Sequence, residues 1–132
     1  MKRYCGIPCL HLCQIWHILS PRMKSKVIRW LHGEIKTPPL SVEARRELGY
    51  LLRMVQEGET LSMPHARPMP GIGTACHELR VKDVAGEWRL VFAITMDAIV
   101  VLDVFKKATR ETPLRIVQQC RRRLEQYRRF FV

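Results

Sequence analysis

The chain has 132 residues, 47% apolar and 27% charged, with a formal net charge of +11. That length suits one domain around one core, and the composition excludes a disordered chain. No apolar run reaches the roughly 20 residues of a membrane-spanning helix, so no membrane partner is expected.

Residues 1–22, MKRYCGIPCLHLCQIWHILSPR, have a basic start and then an apolar stretch. His11, Gln14 and His17 interrupt that stretch and no small-x-small cleavage site follows, which argues against a signal peptide. Cys5, Cys9 and Cys13 are spaced by four and would line one face of a helix. Zinc sites instead pair ligands as C-x2–4-C with a second pair at a distance, so no metal and no other cofactor is expected. With Cys76 and Cys120 the cysteine count is odd, unlike a secreted disulfide framework, and a reducing, cytoplasmic setting is expected. Residues 1–24 therefore read as an extension outside the domain, consistent with an upstream mis-start and with Met23 as the true start. Residues 25–132 read as the domain itself.

KVIRWLHGEI (26–35) reads as a first strand, broken by KTPPL. Ser41 is a helix N-cap with Glu43 in the first turn. Val42, Leu48, Leu51, Leu52 and Val55 form the apolar stripe of a helix that ends at Gly58. Residues 61–73 hold three prolines and two glycines and read as a long loop. Three strands follow, at about 75–82, 87–95 and 98–105. Their connections are too short for crossovers, so they form an antiparallel meander. Thr112 then caps a last helix with Pro113 at its first position. Ile116, Val117, Cys120, Leu124, Tyr127 and Phe131 give that helix a core stripe, while Arg115, Arg122 and Arg129 share another face. The order is β-α-βββ-α, an α+β fold with a meander sheet packed on helices.

The positive charge belongs to the two ends. Residues 105–132 carry nine Lys/Arg against two acids, and residues 27–104 carry nine against ten. A localised basic surface fits a polyanionic partner, nucleic acid or an acidic protein. Alternation along the strands puts Trp88, Leu90, Phe92 and Ile94 on a core face and turns Arg89 the other way. If Lys82 pairs with Glu87 across the DVAG turn, Arg80 falls opposite Arg89. Like charges so placed repel. They make sense if an anion sits between them, or if Glu78 and Glu87 neutralise them. Charged residues alternating along an exposed strand with no function would look the same.

The string HELRVKDVAGEWRLVFAI, followed by VVLDVFKKATRETP, resembles the RelE/ParE toxin superfamily, and within it the phage-derived, HigB-like toxins of type II toxin–antitoxin systems. The resemblance covers about residues 26–130 and rests on Glu78-Leu79-Arg80, Arg89-Leu90-Val91-Phe92, and Phe105-Lys106-Lys107 through Thr112-Pro113. It implies a small RelE-like domain that cuts messenger RNA on the ribosome without a metal. It also implies a cognate antitoxin, often a helix-turn-helix protein. Arg80, Arg89 and Lys107 would hold the reacting phosphate, with Glu78 as base and His77 or His65 as acid. Lys82, Lys106, Arg110, Arg115 and Arg122 would contact the RNA backbone. Fixed cations of this kind lower the barrier to a dianionic phosphorane-like state. In the RelE-like enzymes lysines stand on the second strand where this chain has Cys76 and Glu78, and a tyrosine stands where it has Pro113. Two alternatives remain open: a ParE-like inhibitor of DNA gyrase, and a non-catalytic module binding nucleic acid or antitoxin. A nuclease would lose activity in Arg89→Ala with its fold intact.

Overall fold

The computed structural model describes residues 25–131. In chain order the elements are β1 (Val27–Trp30), α1 (Val42–Gln56), β2 (Ala66–Pro68), β3 (Cys76–Asp83), β4 (Gly86–Ile94), β5 (Ala98–Lys106) and α2 (Leu114–Phe131). They make an α+β fold, two helices on a five-stranded sheet of order β1-β5-β4-β3-β2. The expected extension and its three cysteines at 5, 9 and 13 lie outside the described residues.

β3, β4 and β5 form the expected antiparallel meander. The whole sheet is mixed, because β1 lies parallel to β5, with Val27 beside Ala98 and Trp30 beside Val101. Short connections dictate antiparallel pairing only between the strands they join. They say nothing of β1, which α1 and three strands separate from β5 along the chain. The long loop also departs from expectation. Ala66, Arg67 and Pro68 pair with Leu79, Glu78 and His77 and cover part of the outer edge of β3. Pro68 has no N–H to donate, which suits an edge strand.

The sheet is covered on both faces. On one face α1 packs Ala44, Leu48, Leu51 and Leu52 against Leu79, Val81, Leu90, Phe92 and Val101. On the other, α2 packs Ile116, Cys120, Leu124 and Tyr127 against Cys76, Val91, Ala93, Val100 and Leu102. This double cover explains the near-continuous apolar runs of β4 and β5. Burial holds the Cys120 thiol up at about 12, and burial likewise raises that of Cys76, so both behave as small core hydrophobes.

One bulge adjusts the register. Val91 pairs with Asp103 and Phe92 with Val101, so Leu102 is the extra residue on β5. Leu102 enters the α2 core while Asp103 also meets α2. Arg123 Nη1 donates to the Leu102 carbonyl at 2.9 Å and lies 3.2 Å from Asp103 Oδ2, so the helix satisfies the groups that the bulge leaves unpaired.

Helix α1 starts as its sequence requires. Ser41 Oγ accepts the Ala44 N–H at 3.0 Å. The start of α2 differs from expectation. The Pro113 carbonyl accepts from the Ile116 and Val117 N–H groups, and the Thr112 hydroxyl is used elsewhere. After β1, Gly33 takes φ +82 where the chain crosses close over β5, and a Cβ there would lie 2.8 Å from the Val104 nitrogen. Gly33→Ala is expected to lower stability by about 1–3 kcal/mol, from backbone strain and the clash together. A denaturant melt with an unchanged midpoint would refute this close approach.

Candidate functional site

The β3–β4 hairpin builds the site. Asp83 and Gly86 pair across a turn tipped by Val84 and Ala85. Asp83 Oδ1 accepts the N–H groups of Ala85 at 2.8 Å and Gly86 at 2.9 Å, which closes the turn at an even length. The register then places Lys82 opposite Glu87 and Arg80 opposite Arg89.

The two arginines have different fates. Arg89 is 3% exposed and Glu78 is fully buried. Arg89 Nη1 donates to Glu78 Oε1, and Arg89 Nη2 donates to Glu87 Oε2 at 2.8 Å. The second oxygen of Glu78 accepts the Thr112 hydroxyl at 2.9 Å. Glu87 Oε2 also lies 3.1 Å from Lys107 Nζ, and its Oε1 lies 3.5 Å from Lys82 Nζ. The Lys107 N–H donates to the Glu87 carbonyl at 2.8 Å, carrying the ladder past the end of β5. Arg89, then Lys107, hold the Glu87 carboxyl down from an ordinary 4.5 to about 2.

Arg80 has no such compensation. Among the described residues it forms no ion pair, and its Nη1 meets only the Met63 sulfur, at 3.3 Å. Its Nε is buried with no hydrogen-bond partner. The Arg80 side chain lines an open cleft of about 430 Å³ with Glu47, Met63, Pro64, His65, Lys82 and Glu87. The cleft lies along the edge of β3 beyond the point where β2 stops. There the Arg80 N–H donates to the His65 carbonyl at 2.8 Å.

The other candidate residues are dispersed. His77 neighbours Glu78 in sequence, but strand alternation turns it to the α1 face, stacked on Phe92 with ring centroids 5.6 Å apart. It does not meet Arg89 or Lys107. Lys106 likewise parts from Lys107, and its side chain passes Gly86, where a Cβ would lie 2.9 Å from its Cε. Arg110, Arg115 and Arg122 are exposed. Glu78, fully buried between Arg89 and Thr112, has no open side from which to take a proton. The cluster also contains Glu87 and Thr112, and the cleft Glu47 and Met63, all of which the sequence left without a role in the chemistry. Glu87 was signalled by its place opposite Lys82 and Thr112 by the motif that ends in Thr112-Pro113, but nothing signalled Glu47 and Met63. Among the described residues no three His, Cys, Asp or Glu side chains group as metal ligands, and no helix is long and apolar enough to cross a membrane.

A two-helix, mixed-sheet α+β domain with cations gathered at one end of a hairpin defines the class. The chain belongs to the family described as "Phage derived protein Gp49-like (DUF891)", a family of RelE/HigB-type toxins, whose model matches residues 38–125. Membership places it among the toxins of toxin–antitoxin systems, with an antitoxin as partner. No curated protein matches it by sequence. A solved structure of the E. coli toxin RelE, an arginine-to-alanine double mutant in the free state, aligns at 18% identity with a TM-score of 0.47. It covers 76% of this chain and 98% of that one.

Burial changes what Arg89→Ala does. Removing one partner of a buried pair leaves the other charge unsolvated, so the variant is expected to lose about 3–5 kcal/mol rather than keep its fold intact. A melting temperature equal to that of the parent would contradict the burial of this pair. For Glu87 the folded carboxyl titrates below its ordinary value, so its contribution is present above pH 4.5 and lost as pH falls toward 2. The stability gap between the parent and Glu87→Gln is expected to be about 2–3 kcal/mol at neutral pH and to close across that window. A gap that stays constant from pH 7 to 2 would rule out this linkage.

Proposed function

We propose that this toxin is an endoribonuclease that cuts messenger RNA on the ribosome without a metal, stopping translation until its antitoxin, a helix-turn-helix protein, silences it. The observation that carries the reading is Arg80. A partly buried guanidinium with no carboxylate partner among the described residues, at the wall of an open cleft, is a site prepared for an anion. Lys82 lines the same cleft, and Lys107 stands beside it on Glu87.

In the proposed reaction the RNA 2′-hydroxyl attacks the adjacent phosphorus. The 2′-O–P bond forms and the P–O5′ bond breaks. The 2′ proton passes to a base, and the departing 5′ oxygen receives one. The products are a 2′,3′-cyclic phosphate and a 5′-hydroxyl end. Arg80 and Lys82 would take the non-bridging oxygens as charge develops, with Lys107 adding to the field. Cations already held in place need little reorganisation at that moment. His65 lines the cleft and is the proton carrier best placed there. Arg89 acts through Glu87, by orienting the carboxylate that positions Lys82 and Lys107. Arg115, Arg122 and Arg129, exposed along α2, add a salt-sensitive hold on the RNA or ribosomal backbone.

The full neutralisation of Arg89 favours a second reading, a toxin that binds without cutting, whether a ParE-like gyrase inhibitor or a nucleic-acid-binding module. A short induction in bacteria, with messenger 5′ ends mapped by primer extension, separates the two. Growth arrest with new codon-spaced ends is expected for the parent. Arg80→Ala should keep its melting temperature and cut about 10²–10³-fold more slowly. Arrest without new ends would replace the nuclease with a gyrase-type inhibitor, and no arrest would leave a binding module.

A further inference from the structure

Of the residues lining the cleft beside Arg80, Glu47 is the one that neither the fold nor the cation cluster accounts for. It projects from the outer side of α1, is exposed, and among the described residues forms no ion pair and no hydrogen bond. Its neighbours one helical turn away are Glu43, Ala44, Tyr50 and Leu51, so no cation stands where a helix pair would form. Glu87 lines the same cleft but is taken up by Arg89, Lys107 and Lys82, so Glu47 is the lining carboxylate left without a cation partner among the described residues. The cleft therefore presents two unsatisfied groups of opposite charge, the Arg80 guanidinium and the Glu47 carboxylate. Met63, 55% exposed and with its sulfur 3.3 Å from Arg80 Nη1, and Pro64 supply apolar lining. The volume of about 430 Å³ falls in the roughly 300–1,000 Å³ range of small-ligand sites.

We propose that this cleft is a nucleotide subsite that selects guanine, with the 3′-phosphate on Arg80 and Lys82 and the base edge on Glu47. The assignment rests on the ribonuclease reading and adds the base it reads. Arg80, the lining cation without a carboxylate partner among the described residues, sets the phosphate end of the ligand, because a phosphate beside Glu47 would be repelled. A carboxylate only accepts hydrogen bonds, through two oxygens. Guanine is the base whose Watson–Crick edge offers two adjacent donors, N1–H and the N2 amino group, which match those oxygens. Adenine and cytosine each set an amino donor beside an acceptor nitrogen, and uracil flanks its single N–H with carbonyls. Single-stranded RNA exposes these edges for such readout. The Met63 sulfur and the Pro64 ring pack on the face of the base. A guanosine so held brings its own 3′-phosphate to Arg80 and its 2′-hydroxyl toward the His65 side of the cleft, so cutting falls on the 3′ side of guanosine.

The test is calorimetric titration of the full chain with the 3′-monophosphates of guanosine, adenosine, cytidine and uridine. Guanosine 3′-monophosphate should bind at least about tenfold tighter than the other three, in line with one bidentate base contact. Glu47→Gln should erase that preference while leaving the other three within about twofold. Arg80→Ala should weaken all four at least about tenfold with its melting temperature unchanged. Equal binding of the four nucleotides, or a guanosine preference that survives Glu47→Gln, would overturn the assignment. So would no binding at all. Messenger cleavage in cells together with any of these overturning results would keep the ribonuclease and remove the guanine subsite, whereas guanosine selection without cleavage would do the reverse.

Discussion

The structure turns on one buried charge. Arg89 sits in the middle strand of the meander with 3% of its surface exposed, in a place where an unpaired guanidinium would cost several kcal/mol to desolvate. Two carboxylates make that place tenable, Glu78 from β3 and Glu87 two residues along its own strand. Each then recruits a further element. Glu78 takes the Thr112 hydroxyl and so ties down the approach to α2, and Glu87 takes Lys107 and so ties down the exit of β5. The hairpin register, the last strand and the last helix are therefore coupled through a single side chain. A slip of one residue in the hairpin would turn Glu78 to the other face of the sheet and leave Arg89 without its nearest partner.

Against that closed network Arg80 stands out by contrast. It faces Arg89 across the same pair of strands, yet it belongs to the outer strand beside the start of β2, where its N–H meets the His65 carbonyl and its side chain lines an open cleft. A central position forces an arginine to be neutralised by the protein, and an edge position lets it wait for something else. Of the two explanations of a facing arginine pair, neutralisation by carboxylates accounts for Arg89, while Arg80 has no carboxylate partner among the described residues. This division separates a cation that shapes the site from one that is free to meet a ligand.

Much of the fold was legible because its signals are local. Ser41 caps α1 as its residue type and position require, and the Ile116, Cys120, Leu124 and Tyr127 spacing put the buried face of α2 where it is. The length of the turn between Asp83 and Gly86 was enough to fix which residues face each other. What sequence did not show depends on distant partners. Nothing near β1 says that it will lie parallel to β5, and nothing in the proline-rich stretch marks three residues as an edge strand. Thr112 read as a cap because threonine before proline often is one. Its hydroxyl goes instead to a carboxylate 34 positions away. The placing of His77 with Glu78, and of Lys106 with Lys107, shows a different failure. Strand alternation alone sends adjacent residues to opposite faces, and the family pattern outweighed it. The burial of Arg89 was out of reach, since it depends on how closely the start of α2 approaches β3.

The sheet's two borders have a bearing on how readily such a basic chain could pair with a second copy of itself. Its long strands, β3, β4 and β5, are flanked by a four-residue strand on one side and a three-residue strand on the other. A border that short offers a neighbouring molecule few free backbone groups to pair with, and Pro68 withholds one of them. Beyond β2 the strand β3 carries the half-buried Arg80 and the exposed Lys82 before it ends at Asp83, and those two like charges oppose the close, in-register approach of a second copy. The cations read here as a grip on RNA would thus also act as a guard against fibre-like self-association, so neutralising them would be felt in solubility as well as in activity.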